Sequence, residues 1–390
     1  MSDSYTEVTS KSWFSRIGES IKGIIFGIIV IPLAIILLWW NEGRAVTTAN
    51  SLKEGAAAVI SAPSDKVDPA NDKKLIHTTG EAKAAEPVQD SDFGLSLPAL
   101  KLERTEEIYQ WEEEKKSETK TKVGGSEETT TTYNYTKKWV DRPIDSSEFK
   151  KPSEHPNKGD LIAGSASFNA PDVSLGAFEV PEDFVSRMDN VAKYSVTEKD
   201  LENLPADLKG AAKIQAGIFY FGEKPEAPQI GDCRVSYQIV KPGPFSILAA
   251  QVEESFEPYQ TQAGDSISFI EAGTVSAEKM FKDAASANTV LTWLARLGGF
   301  VFMTFGFMAI TRPLSILGSV LPFLGNLIGA GTGFISLMLA ATISLTVIAI
   351  AWFAARPILG IVLLALAVGA FIYSRKLAAR SKAAAPTVAA

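Results

Sequence analysis

The stretch GIIFGIIVIPLAIILLWW, residues 23–40, decides the class of this protein. It carries no charge and approaches the ~20 residues that a helix needs to cross ~30 Å of hydrocarbon. Trp39 and Trp40 close it, as is typical of side chains at a membrane interface. A cleaved signal peptide is the alternative. Because no small-x-small cleavage site follows directly, the stretch is predicted to be an uncleaved transmembrane anchor.

Three more apolar stretches lie toward the carboxyl end of the chain. Their length and lack of acidic residues predict transmembrane helices at 289–310, 327–353 and 357–373. The connection between the first two of these, residues 311–326, is apolar but is broken by two prolines and a glycine and is too short to cross twice. It is predicted to be an interfacial or re-entrant segment, with a plain apolar loop as the equal alternative.

Basic residues set the predicted orientation in the membrane. Three of them precede the first stretch, and a basic, alanine-rich tail, residues 374–390, follows the last. Because cytoplasmic flanks carry an excess of Lys and Arg, residues 1–22 and the tail are predicted to be cytoplasmic, with residues 41–288 on the other side. A reporter at Ser10 should therefore be cytoplasmic, and one at Gly125 should not.

The long region between the first and second apolar stretches is acidic. From Asn41 to Val290 it contains 42 acidic and 28 basic residues, a net charge of −14. Such a surface does not suit nucleic acid or anionic lipid, and it is compatible with a solvated domain or a basic partner. Cys233 is the only cysteine, so the domain must be held by its hydrophobic core without an intrachain disulfide.

Alternating apolar residues predict that this region is rich in strands. Leu97–Trp111 and Thr129–Val140 both carry aromatic residues and flank a Gly-Gly tip, which indicates a β-hairpin. The aromatic residues form either a cross-strand packing stripe or a binding platform. With Gly-Asp turns before other alternating segments, the sequence predicts an α+β, mainly antiparallel-sheet domain, extracytoplasmic and attached to four transmembrane helices. The helix that begins after Ser276 should continue unbroken into the second span.

Few residues suggest chemistry. The two histidines, His77 and His155, show no zinc-ligand spacing; the first is predicted to be packed and the second exposed. Residues 264–267 resemble the nucleophile block of GDSL esterases, but the Asp-x-x-His partner block is absent and the residues suit a turn. No catalytic residue, metal ligand or cofactor is predicted.

The glycines at the start of the third apolar stretch predict helix packing. Gly325, Gly329 and Gly333 give two small-xxx-small steps, and no Lys-Ser/Thr pair follows them as a nucleotide loop requires.

Four residues next to the apolar stretches are predicted to make structural contacts. Glu42 and Arg44 emerge beside Trp40, where the dielectric constant is low enough for charge pairs to matter. They are expected to bond the base of the domain or the second span, with simple interfacial charges as the alternative. Trp293 and Arg296 are expected to mark the membrane surface.

Short sequence blocks occur in a characteristic order along the chain. They are Asn41–Ala45, Leu52–Gly55, Leu97–Leu102, Tyr109–Trp111, Gly231–Asp232 with Arg234–Ser236, Gly264–Asp265, Ser276–Glu278 and Thr311–Arg312. These blocks resemble the LUMA family of membrane proteins, known in animals as transmembrane protein 43.

The resemblance implies an anchor, a large lumenal or periplasmic domain and three carboxyl-terminal spans. In animals it implies the endoplasmic reticulum and inner nuclear membrane, self-association, and organisation of partners such as lamins and emerin; channel-related roles are also proposed. It supplies no catalytic residues. The tail Ala378–Ala390 is typical of bacteria, and a bacterial member would have no lamins and would lie in the inner membrane facing the periplasm.

The leading hypothesis is a non-enzymatic membrane scaffold. Its predicted partners are the lipid bilayer, further copies of the chain and other membrane proteins, and nucleic acid is not among them. The first alternative is a channel subunit whose path is lined by small and polar groups such as Thr342, Ser344 and Thr346. A membrane-tethered hydrolase is the second.

Overall fold

The computed structural model describes residues 3–356 and separates into two compact units. The sheet unit comprises residues 3–11, 51–120 and 127–285. The helical unit comprises residues 12–50 and 121–126, together with the described residues from 286 onward.

The described residues form six α-helices. They are α1 Trp13–Ala58, α2 Glu182–Ser186, α3 Glu198–Asn203, α4 Ala206–Lys209, α5 Ala277–Gly318 and α6 Pro322–Ala355. Three of them, α1, α5 and α6, are long and apolar enough to cross a membrane.

Nineteen strands are formed by the same residues. They are β1 Asp3–Lys11, β2 Ile60–Ser61, β3 Leu75–Ala84, β4 Val88–Asp90, β5 Leu95–Leu97, β6 Lys101–Thr121, β7 Glu127–Val140, β8 Ala166–Asn169, β9 Val173–Leu175, β10 Phe178–Glu179, β11 Val191–Tyr194, β12 Ala212–Gln215, β13 Ile218–Phe221, β14 Cys233–Val240, β15 Gly243–Val252, β16 Ser255–Glu257, β17 Tyr259–Gln260, β18 Ser266–Ile267 and β19 Phe269–Ala272.

Two large sheets carry the sheet unit. One has eight strands with the path β1-β7-β6-β14-β13-β12, and the other has seven with the path β10-β9-β3-β15-β16. Apart from the short parallel pair β2–β3, the pairings in these two sheets whose registers are resolved are antiparallel. The prediction of a mainly antiparallel-sheet domain is confirmed. The core contains fully buried aromatic residues of both sheets, including Phe219, Tyr237 and Phe245.

The hairpin formed by β6 and β7 is the predicted one, with longer strands and a shorter tip. The predicted strands end at Trp111 and begin again at Thr129, whereas β6 continues to Thr121 and β7 begins at Glu127. The rings of Tyr109 and Trp139 lie 5.2 Å apart across the hairpin. This contact agrees with the packing interpretation of the aromatic residues.

The amino-terminal segment forms a strand that the sequence analysis did not predict. β1 pairs with β7 over its whole length, from Asp3 opposite Tyr135 to Lys11 opposite Glu127. Hydrogen-bonded neighbouring strands cannot be separated by a bilayer. The pairing is therefore incompatible with the predicted placement of residues 3–11 and the hairpin on opposite sides of a membrane. The polar alternation of β1 is too weak to distinguish an exposed edge strand from a disordered tail.

The apolar helices also differ from the predicted bounds. Helix α5 continues from Ala277 to Gly318, as expected for an unbroken helix, but it extends past residue 310. Most of the predicted connection 311–326 is therefore helical, because Pro313 is tolerated inside α5 and Pro322 starts α6. The predicted fourth span, 357–373, and the tail, 374–390, lie outside the described residues.

Candidate functional site at the two ends of the apolar helices

Glu42 and Arg296 form a paired contact between α1 and α5. The Arg296 Nε and Nη2 atoms donate to the two Glu42 carboxylate oxygens at 2.7 and 2.8 Å. Glu42 is buried, whereas the Arg296 side chain is 20% exposed. The Arg296 guanidinium also lies 4.8 Å from the Trp293 ring centroid. Because two hydrogen bonds join the guanidinium to the carboxylate, the contact sets the relative orientation of the two side chains and also pairs their charges.

Arg44 extends this contact into a network on the same two helices. Its Nη1 donates to Asn288 Oδ1 at 2.9 Å, and its Nη2 donates to Asn41 Oδ1 and Thr292 Oγ1 at 3.2 and 3.1 Å. Asn41, fully buried, donates to the Thr292 carbonyl oxygen at 3.2 Å, and Asn288 donates to the Ala45 carbonyl oxygen at 3.0 Å. We call residues 41, 42, 44, 288, 292 and 296 the Glu42 cluster.

The Glu42 cluster contains three of the four predicted contact residues, and the fourth, Trp293, lies beside it. Glu42, Arg44 and Arg296 bond across α1 and α5, and Trp293 lies 63% exposed beside Arg296. Their partner is the α5 helix, one of the two alternatives that the sequence left open. Since each charged group is held by several hydrogen bonds, the cluster is suited to fixing two helices together.

A second polar cluster lies at the start of α1, about 25 residues before the Glu42 cluster along the same helix. Buried Arg16 donates through Nη1 to the Gly125 carbonyl oxygen at 2.5 Å and to Ser319 Oγ at 3.0 Å. The Gly124 amide donates to the Val320 carbonyl oxygen at 2.9 Å, and Trp13 Nε1 donates to the Ile316 carbonyl oxygen at 2.8 Å. We call residues 13, 16, 124, 125, 316, 319 and 320 the Arg16 cluster.

The sequence analysis did not identify the Arg16 cluster. Arg16 is one of the basic residues before the first apolar stretch, and such residues were interpreted only as setting the orientation in the membrane. Its distant partners, Gly125 and Ser319, carry no signal that points to it. Gly125 has a φ of +78°, and a Cβ placed there would lie 2.3 Å from Trp13 Cδ1. Only glycine suits this position, so the hairpin tip is shaped to meet the start of α1.

The predicted packing glycines differ in how closely they are approached. A Cβ at Gly325 would lie 2.6 Å from Ser319 Cα, and one at Gly329 would lie 2.9 Å from Ser315 Oγ. Gly333 meets only Met308 Cε at 3.7 Å, an ordinary contact. A closer approach of two helix backbones lies elsewhere, where a Cβ at Gly27 would be 2.4 Å from the Gly306 carbonyl oxygen.

The hydroxyl groups suggested for a polar path face different surroundings. Thr342 and Thr346 donate to carbonyl oxygens of their own helix, at 2.9 and 2.7 Å. Ser344 is buried and lies 3.6 Å from the Met303 sulfur.

The sheet unit contains a buried charge network around Arg104. Its Nη1 donates to Asp90 Oδ1 at 2.6 Å, its Nη2 to Asp92 Oδ2 at 3.0 Å and its Nε to the Gly164 carbonyl oxygen at 2.7 Å. Tyr237 donates to the other Asp90 oxygen at 3.0 Å. Burial lowers the pKa of Arg104, but the Asp90 charge and the hydrogen bonds to Asp90 and Asp92 together raise it by more; burial with Asp90 raises the pKa of Tyr237. This network braces strand β6 from within the sheet unit.

The two histidines occupy structural positions. His77 Nε2 lies 2.8 Å from the Val275 carbonyl oxygen. His155, predicted to be exposed, is instead buried, stacked 3.7 Å from the Tyr135 ring and 2.5 Å from Asp3 Oδ2. His155 is buried because strand β1 covers it, and the sequence analysis did not predict that strand.

The esterase-like residues form the expected turn. Gly264 has a φ of +106°, and Thr261 donates through Oγ1 to the Asp265 carbonyl oxygen at 2.5 Å. Ser266 begins β18 and is exposed. Among the described residues, no group of three or more His, Cys, Asp or Glu side chains has an arrangement suited to a metal ion.

Comparison with known proteins shows similarity along nearly the whole chain. The family model for transmembrane protein 43 matches residues 108–357. Transmembrane protein 43 of Rattus norvegicus is 30% identical over 95% of this chain and 94% of its own length, and that of Homo sapiens is 30% identical over 93% and 92%. The Drosophila melanogaster homolog is 28% identical over 87% and 90%. No solved structure matches the chain.

Proposed function

This chain belongs to the transmembrane protein 43 family, and on that premise we propose that it is a non-enzymatic membrane scaffold that self-associates and organises other membrane proteins through its sheet unit. The observation that carries the proposal is the Glu42 cluster. Its three charged side chains, Glu42, Arg44 and Arg296, all form hydrogen bonds between α1 and α5. Such a junction holds a structure in one arrangement and leaves no group poised for reaction.

The sheet unit is proposed to be the part that meets other proteins outside the cytoplasm. Its acidic surplus suits a basic partner, and the basic residues of the tail favour a cytoplasmic carboxyl end. In a bacterium this is the periplasmic face of the inner membrane; in a eukaryote it is the lumen of the endoplasmic reticulum or nuclear envelope.

Self-association is tested by co-expressing two differently tagged copies in one cell. Purification through one tag should recover the other, and native mass measurement in detergent should give a multiple of 41.9 kDa. Arg44→Glu removes the donors to Asn288 and Thr292 and should reduce the recovered second copy several-fold. Arg142→Glu, an equal charge change at a 90% exposed side chain, should leave recovery unchanged. A wild-type protein that is monomeric in both measurements refutes the scaffold proposal in this form.

A further inference from the structure

Helices α1, α5 and α6 line an open groove of about 770 Å³ that has one charged end. Lys22 of α1 and Arg312 of α5 both line this end and are exposed. Neither forms an ion pair or hydrogen bond with another residue in the part of the chain that the structure describes. Glu19 lines the same end, so two cations face one carboxylate. The local charge favours an anion.

The rest of the groove is apolar and open. Phe26, Val30, Phe302, Phe305 and Met308 line it. From Lys22 to Val30 the α1 wall is about 12 Å long, at ~1.5 Å per helical residue. The groove therefore offers an apolar channel that continues directly from a cationic end.

Small residues at the base of the groove leave its space unfilled. Gly23, Ala309, Gly329 and Gly333 line it from three helices. A side chain added at Gly333 would meet only Met308 Cε, at 3.7 Å, and would project into the space. The glycine spacing that predicted helix packing thus also creates room for a chain-like ligand.

We propose that this groove binds one phospholipid with an anionic headgroup. The phosphate lies between Lys22 and Arg312, and an acyl chain follows the apolar wall. Lys and Arg between membrane helices recognise anionic lipid headgroups in this way, and an apolar groove alone would not select among headgroups. The site is independent of the scaffold proposal, because it needs one copy of the chain and no protein partner.

The test uses the full-length protein in detergent and native mass spectrometry. Phosphatidylglycerol and phosphatidylcholine with identical acyl chains are titrated separately. We expect phosphatidylglycerol to bind more tightly, and Lys22→Gln with Arg312→Gln to weaken it by about 30-fold while leaving phosphatidylcholine unchanged. Lys66→Gln with Arg142→Gln removes the same charge from exposed positions of the sheet unit and should have no effect. An unchanged preference in the Lys22/Arg312 variant overturns the proposal.

The apolar part of the site has its own controls. Gly333→Leu should reduce binding of both lipids, whereas Gly331→Leu, where a Cβ meets nothing within 4 Å and which does not line the groove, should not. A photo-crosslinking residue at Phe305 identifies the occupant in membranes. Crosslinks to phospholipid support the proposal. Crosslinks to residues 357–373 of the chain or to a second copy mean that protein fills the groove, and overturn it.

Discussion

At the residue scale, the pair Glu42 and Arg296 joins α1 to α5 through two hydrogen bonds between opposite charges. Removing one partner of a buried ion pair leaves the other uncompensated, at a cost of about 3–5 kcal/mol when both are buried. Since Arg296 is 20% exposed, we expect Arg296→Gln to lower the free energy of unfolding by about 2–3 kcal/mol. Thermal unfolding in detergent measures this loss.

The double variant shows whether the effect comes from pairing. The double variant Glu42→Gln with Arg296→Gln should lose less free energy of unfolding than the two single variants lose in sum. The reason is that the double variant leaves no lone charge at the contact. Arg142→Gln, which removes a guanidinium from a side chain that is 90% exposed, should change the unfolding temperature little. Additive losses would mean that the two residues act separately.

Gly27 allows a second residue-scale prediction with a matched control on the same helix. Gly27→Ala places a methyl group 2.4 Å from the Gly306 carbonyl oxygen, which is backbone and cannot turn away. We expect a loss of about 1–3 kcal/mol. Gly18→Ala meets nothing within 4 Å and should be neutral or stabilising by up to about 1 kcal/mol, because alanine favours helix. Equal unfolding temperatures for the two variants would contradict the close crossing.

Cys233 gives the pH-dependent prediction. Burial, with the nearby charges of Glu106 and Asp232, raises the pKa of its thiol to about 12. In the folded protein the thiol should therefore resist a maleimide at pH 8 and react only on unfolding. A pKa that is raised in the folded state adds stability below the unfolded thiol pKa of ~8.5, and this contribution is lost as pH rises toward 12. Rapid labelling of native protein at pH 8 would contradict it.

At the scale of elements, strand β1 is the least expected feature and the most directly testable. Ser10 lies opposite Glu128 on β7, and directly paired residues have Cα atoms about 4.5–5.5 Å apart, within disulfide range. Ser10→Cys with Glu128→Cys should form an intramolecular disulfide under mild oxidation, detected by mass and gel mobility. Ser10→Cys with Thr132→Cys, offset by about 13 Å along the strand, should not. Cys233 is buried and does not interfere.

The same strand shows where sequence reasoning succeeds and where it stops. The apolar helices and the β6–β7 hairpin were predictable because their patterns are local and long. The Glu42 cluster was half predictable: charges beside an apolar stretch need partners, but the helix that supplies them is 254 residues away from Glu42 in sequence. The Arg16 cluster and β1 depend on contacts with a distant loop and strand, and neither leaves a periodic pattern.

At the scale of the whole molecule, pairing of β1 and membrane crossing by α1 exclude each other. Helix α1 starts two residues after Lys11 and continues without a break to Ala58, and its residues 51–58 belong to the same sheet unit as β1. Open polar strands cannot lie in hydrocarbon. Because β1 and the last residues of α1 belong to one compact unit, the unbroken helix that links them cannot cross a membrane and return. Crossing requires β1 to leave β7.

Labelling from one side of sealed vesicles distinguishes the two arrangements. We expect single cysteines at Ser10 and at exposed Lys66 to react with an impermeant maleimide from the same side, as the paired strand requires. Thr6→Pro, which removes a backbone donor from β1, should release Ser10 to the opposite side. Opposite sides in the wild type would show that the membrane form has an open β1, as the basic flanks alone predict.

The pairing of β1 with β7 also sets an order of events during synthesis. Thr6 and its partner Thr132 are 126 residues apart, so at ~5–20 residues per second the ribosome needs roughly 6–25 s after making β1 to supply its partner. The apolar stretch of α1 is complete long before then. The nascent chain therefore meets the membrane with β1 unpaired, and whether the amino terminus is translocated is decided in that interval, by the relative speed of insertion and hairpin synthesis.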